Sequence, residues 1–266
     1  MIINNVDEIP DRYYANHNIR IVRLDRNLKR IGKEAFAGCD KLGWIMVPDG
    51  VREIDDRAFY GCSSVESLSI PATVERIGED AFFFGSGNAL KDLWVNISNK
   101  HFCCPDGVLY SKDMKKLLLY PRRRRGNKYV IPDGVEEVCA KAFIYADKLK
   151  SITVPDSVRT LGEQAFEQCY ALEDLRIPDT IESIPARLCF GCRHMKNLLL
   201  PSNVKTIGSE SFSGCSKLRG LHIPPSVEKI SNDAFVGCTA LKLIYLASSK
   251  VADQDWVPKG ADVIRA

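Results

Sequence analysis

The chain has 266 residues, with 37 Lys and Arg against 34 Asp and Glu, a net charge of +3, and 45% hydrophobic residues. That is the composition expected of a soluble globular protein, and its near-balanced charge argues against nucleic acid or an anionic membrane surface as partner. No stretch approaches the roughly 18 to 20 apolar residues of a membrane span, so no membrane insertion is expected.

Read in chain order, the sequence is a repeat array. Ile3, Val6, Ile9, Tyr13, Tyr14, Ile19, Val22 and Leu24 form a degenerate first unit, one residue short, whose Asp7, Glu8, Asp11 and Arg12 suit a polar cap. The next unit starts at Asp25 and holds Leu28, Ile31, Gly32, Ala35, Phe36, Cys39, Leu42, Ile45 and Val47. Pro48 and Pro71 open two more, 23 residues apart. The unit from Pro71 carries a two-residue insertion around Gly85 to Asn88.

Residues 96–131 break the rhythm. Leu109-Tyr110 and Leu117-Leu118-Leu119 flank a polar turn, the pattern of a β-hairpin. Arg122 to Arg125 follow in a loop that leads to Tyr129-Val130-Ile131. Pro132, Pro155, Pro178, Pro201 and Pro224 then recur at steps of 23 and open the last units, up to Leu246. The expected organisation is four units over 3–95, an inserted hairpin over 96–131, five units over 132–246, and a tail over 247–266. That tail, with Trp256 and Pro258, is expected to fold back over the last unit.

A unit of about 23 residues is too short to bury its own apolar face, so neighbours must stack and share a core. From Pro155 the frame reads Val158, Leu161, Gly162, Ala165, Phe166, Cys169, Leu172, Leu175 and Ile177. Leu-x-x-Leu-x-Ile alternates at period two and predicts a short strand, paired in parallel with its copies about 4.8 Å away. Proline after the strand cannot donate to the ladder and ends it. Val-x-x-Ile-Gly predicts a second short run opposite, and Ala-Phe-x-x-Cys a turn or one 3₁₀ turn. The expected fold is a right-handed solenoid of short parallel strands with turn segments on the opposite side.

The pattern Ile-Pro-x-x-Val-x-x-Ile-Gly-x-x-Ala-Phe-x-Gly-Cys-x-x-Leu-x-x-Leu resembles the BspA-like leucine-rich repeats of bacteria. The resemblance covers residues 3 to about 246. Asp106-Gly107-Val108-Leu109-Tyr110 with Leu117 to Pro121 is similar to that family's non-repeat hairpin. The resemblance implies a leucine-rich-repeat solenoid and, for several relatives, adhesion to host proteins at the cell surface. Met1 to Arg20 lacks the basic start and apolar core of a secretion signal. A surface or secreted location would follow if a signal had been removed, and a cytoplasmic one otherwise.

The cysteines mark the register. Cys39, Cys62, Cys169, Cys192, Cys215 and Cys238 stand fourteen residues after the proline position. Cys189 and Cys192 have metal- or redox-like spacing, but Cys189 fills the slot of Phe166 and Phe212, so both are read as buried small hydrophobes. Cys139 takes a glycine slot and is read as structural. His101, Cys103 and Cys104 could supply a nucleophile or metal ligands, yet no second ligand pair is suitably spaced, and a loop entering the hairpin is the plainer reading. His17, His194 and His222 fall at unrelated frame positions. No catalytic or phosphate-binding motif occurs, so neither enzymatic activity nor a cofactor is expected. Arg122 to Arg125 could hold an acidic partner but suit a solvated loop.

In each strand the two positions flanking the second leucine must face outward. Small hydroxyls such as Ser67, Ser69, Ser151 and Thr153 suit a bare solvated sheet. Trp44, Met46 and Trp94 do not, and with Asp92, Asp174, Arg176, His222 and Tyr245 they form the candidate partner-binding face. The expected partner is a protein; a carbohydrate bound on an aromatic platform is the alternative.

Overall fold

The computed structural model describes residues 1–251 and 255–265, which form two compact units. The first comprises Met1–Met114 and Tyr120–Arg125; the second comprises Lys115–Leu119 and the described part of 126–266. Both are built mainly from short parallel ladders joined by turns, and no helix occurs among the described residues.

In the first unit the strands Trp44–Met46, Ser67–Ile70 and Asp92–Val95 pair in parallel, with Ile45, Leu68 and Leu93 in one inward row. A second ladder runs through Glu8–Ile9, Arg30–Ile31, Glu53–Ile54 and Arg76–Ile77. The register records the irregularities of the repeat. Glu53 pairs with Arg76, a step of one full unit, whereas Glu8 pairs with Arg30, one residue short, and Ser67 with Asp92, two residues long.

Between the ladders the chain turns back through successive tight turns. Val51 N–H donates to Pro48 O at 3.3 Å, Ala58 to Asp55 at 3.2 Å and Cys62 to Phe59 at 3.2 Å. The return segment is thus the turn rather than the 3₁₀ form. It includes residues of positive φ, such as Glu34 (54°), Arg57 (55°) and Asp80 (55°), that a continuous helix would not accept. Asp25 makes the same turn as the prolines, since Leu28 N–H donates to its carbonyl at 3.2 Å.

The core between the ladders is a column of rings. Tyr14, Phe36, Phe59 and Phe82 follow one another at centroid separations of 5.4, 5.3 and 5.8 Å. Offset stacking adds about 0.5–1.5 kcal/mol per pair to the apolar burial. Beside it runs a column of thiols, each donating to a carbonyl one turn back. Cys39 Sγ reaches Tyr14 O at 3.1 Å and Cys62 Sγ reaches Phe36 O at 3.1 Å.

In the second unit Lys128–Val130, Ser151–Thr153, Asp174–Arg176 and Asn197–Leu199 form one parallel ladder. Tyr129-Val130 is thus a repeat strand. Gly220–Ile223, Leu243–Leu246 and Asp262–Arg265 form another, so the end of the tail adds a strand. Trp256 is buried, its ring 6.0 Å from that of Phe235.

The thiol column recurs here. Cys169, Cys192 and Cys238 donate to Phe143, Phe166 and Phe212 O at 3.2 Å each. Cys189 stands where other units have phenylalanine; it is buried, and its carbonyl accepts from Cys215 Sγ at 3.4 Å. At Gly162 a Cβ would lie 2.2 Å from Ala140 N, so successive turns approach too closely there for a side chain.

Candidate functional site

The strand pleat decides what each unit presents. In the first unit the inward row leaves two outward rows, Trp44–Ser67–Asp92 and Met46–Ser69–Trp94. Trp44 is 47% exposed, Met46 68% and Trp94 54%. Trp94 is separated from Met46 by one serine-bearing strand, so the two side chains rise about 9.6 Å apart over a hydroxyl floor. With Ile2 and Ile21, which are also exposed, these residues line a groove of about 1180 Å³.

Polar groups border this groove. The Asp25 carboxylate accepts backbone N–H bonds from Asn27 and Asn5, both at 2.9 Å. Those bonds, that from Asn27 foremost, hold its pKa below the usual carboxylate range. Asp25 therefore stays charged and fixed at the edge of a groove that mixes the apolar side chains with polar ones such as Arg23, Arg26 and Asp49.

Asp92 lies next to Trp94 on the other side, in a smaller hollow of about 380 Å³ that also takes in Lys91, Asp106, Arg124 and Arg125. The four arginines do not act as one solvated run. Arg122 is buried and donates to Ser86 O. Arg124 lies over the Tyr120 ring at 5.8 Å and donates to Asp106 O at 3.1 Å. Arg123 and Arg125 are exposed.

In the second unit Asp174 and Arg176 share one strand, both exposed. Asn197 Nδ2 donates to Asp174 Oδ1 at 2.6 Å, and Arg176 lies 3.5 Å from Asp156. His222 and Tyr245 are register partners, followed in the same row by Ile264 of the tail strand. The structure thus joins Trp44, Met46 and Trp94 in one groove, places Asp92 beside it, sets Asp174 and Arg176 on one strand with separate partners, and pairs His222 with Tyr245.

Leu199, outward by the repeat frame, is 63% exposed, and two further outward residues, Val130 and Ile264, escape a reading by that frame. Val130 is 66% exposed in one row with Thr153, Arg176 and Leu199. Val130 was hidden by its place in the expected hairpin; the match of Tyr129-Val130-Ile131 to the strand-proline signature could have found it. Ile264 lies in a tail with no repeat phase, and its alternation with Asp262 was the only signal.

The His101, Cys103 and Cys104 cluster is tied into the backbone. Phe102–Cys103 pairs antiparallel with Leu109–Ser111. Cys103 Sγ donates to Ser111 O at 3.3 Å, and Cys104 Sγ accepts from Val95 N–H at 2.9 Å. Burial raises both thiols, the reverse of what an activated nucleophile needs. His101 N–H and Phe102 N–H both donate to Asn99 Oδ1, at 2.8 and 2.7 Å. Asn99 is fully buried, and its Nδ2 donates to Pro71 O and Val74 O at 2.8 and 3.0 Å. No group of three His, Cys, Asp or Glu among the described residues could hold a metal ion.

The profile of the BspA type leucine rich repeat region matches residues 7–104 and 124–242, in six copies. A leucine rich cell surface protein from Faecalibacterium prausnitzii is similar in structure, with a TM-score of 0.82 at 29% identity over 92% of this chain and 70% of that one. The pneumococcal vaccine antigen PcpA shares the fold at a TM-score of 0.85 and 24% identity, over 98% of this chain and 66% of that one. So does a leucine-rich repeat protein from Eubacterium ventriosum, at 0.66 and 23%, over 97% and 85%. No curated protein matches the chain.

Proposed function

The chain belongs to the BspA-type leucine-rich-repeat family, and we propose that it is a non-catalytic interaction module that binds a protein partner on the strand face of its first unit. One observation carries this reading. Trp44, Met46 and Trp94 stand exposed around a groove floored by Ser69. Large apolar side chains held in water by a rigid ladder have no folding role that requires their size. They suit an anchor for a partner's apolar side chains, the residue types that dominate binding hot spots. The cell-surface description of the Faecalibacterium prausnitzii relative supports a surface location for this module, where the proposed binding would serve adhesion.

Peptides selected from a random library on the intact chain test the reading. Trp44→Ala and Trp94→Ala are expected to weaken their binding while leaving thermal unfolding nearly unchanged. Unchanged binding with a large loss of stability would overturn it. The serine hydroxyls beside the two tryptophans, Ser67 next to Trp44 and Ser69 next to Trp94, favour a second reading, a carbohydrate whose ring stacks on tryptophan and whose hydroxyls meet them. Binding to a glycan array that is lost in Trp44→Ala would establish it, and an array without hits would remove it.

A further inference from the structure

Trp94 borders two hollows at once, the groove it shares with Trp44 and Met46 and the smaller basic one. Resting on the strand-face reading above, we propose that the partner is an acidic protein segment in which a carboxylate side chain adjoins an apolar one: the apolar side chain packs on Trp94 and the carboxylate enters the hollow of Lys91, Arg124 and Arg125.

Charge pairing inside the hollow decides the class of ligand. Lys91 lies 3.7 Å from the Asp92 carboxylate, and the Arg124 guanidinium lies 3.8 Å from that of Asp106. Arg125 has no carboxylate within 4.0 Å among the described residues. Three cations against two carboxylates leave an excess of one positive charge at Arg125, which matches one carboxylate. A polyanion such as nucleic acid would bring its repeated charge against Asp92 and Asp106 as well. The hollow, of about 380 Å³, has room for an acidic side chain together with part of the segment that carries it.

The receiving groups are partly fixed beforehand. Arg124 is held by the Tyr120 ring and by the Asp106 carbonyl, so little side-chain freedom is lost when an anion arrives. Trp94 sits on a paired strand rather than a loop. Acid and apolar anchor therefore meet surfaces whose spacing is already set.

The test uses peptides selected on the intact chain from a random displayed library. The selected sequences are expected to carry Asp or Glu beside Leu, Phe or Trp. Arg125→Glu should weaken their binding about tenfold, as a like charge set against the peptide carboxylate would. Replacing the peptide acid by its amide should cost a similar factor and remove the sensitivity to Arg125→Glu. Lys91→Glu, at a residue that is also exposed, provides an independent variant. Binding that needs Trp94 but is unchanged in both charge reversals would overturn this proposal and leave the groove reading standing. A selection whose binders are all indifferent to Trp44→Ala and Trp94→Ala, or one yielding no binder, would remove both.

Discussion

Cys62 Sγ donates to the carbonyl of Phe36 at 3.1 Å, linking one turn of the solenoid to the turn before it. The same carbonyl already accepts the N–H of Cys39 at 3.1 Å, so the thiol uses its second lone pair. The slot takes a small side chain that tolerates full burial, as the buried Ala146 does in the unit from Pro132, and cysteine adds a donor to that fit. Cysteine at this slot therefore joins successive turns by a side-chain bond that the Phe and Leu rows of the same core cannot make.

Cys62→Ala removes both the donor and the sulfur's packing. The expected cost is about 1–2 kcal/mol in equilibrium denaturation, from lost contacts and the void they leave. A change within a few tenths of a kcal/mol would mean the slot is tolerant and the thiol incidental.

The buried thiols also set the alkaline limit. Burial pushes Cys62, Cys169 and Cys189 well up, and Cys139 up to about 12. Thiols of the unfolded chain ionise near pH 8.5, so above that the unfolded state releases protons the folded state keeps. The stabilisation is complete below pH 8.5 and declines as pH rises towards the folded values, by about 1.4 kcal/mol per pH unit for each such thiol. Denaturation midpoints measured from pH 7 to 10.5 are expected to fall above pH 9. Cys139→Ser should decline less steeply, and a flat profile would contradict the assignment.

Asn99 is the junction between the first block of repeats and the hairpin. It makes four hydrogen bonds from a fully buried amide, two donated and two accepted. Asn99→Ala leaves buried backbone groups unpaired at both ends, and an expected cost of about 2–3 kcal/mol follows. Limited proteolysis should cut the variant near Phe102–Cys103 before the repeats. A global loss of stability without that local cut would show that Asn99 supports the stack rather than the junction.

The ladders, ring column and thiol column were legible in the sequence because each depends on a residue type that recurs at one period. The shortened first unit and the two-residue insertion were legible for the same reason, as shifts in phase. Asn99 was not legible, since a single asparagine in a non-repeating segment carries no phase. Nor was the hydroxyl ladder in which Thr73, Ser157 and Ser226 donate to Val51, Val135 and Val204 O at 2.8, 2.8 and 2.7 Å. Serine and threonine at that slot read as ordinary turn residues until the carbonyl above them is known. The outward positions of Trp44, Met46 and Trp94 followed from strand alternation. The basic hollow beside Trp94 did not, because Arg124 and Arg125 stand 30 and 31 residues further along the chain.

The central claim is that the strand face of the first unit receives the partner, and hydroxyl-radical footprinting tests it most directly. Oxidation of Trp44, Met46, Trp94 and Tyr60 would be compared with and without a saturating selected peptide. Tyr60 is 39% exposed on the turn side and serves as the internal reference. Protection of Trp44, Met46 and Trp94 with Tyr60 unchanged is the predicted result; protection of Tyr60 with the strand face still fully oxidised would contradict it.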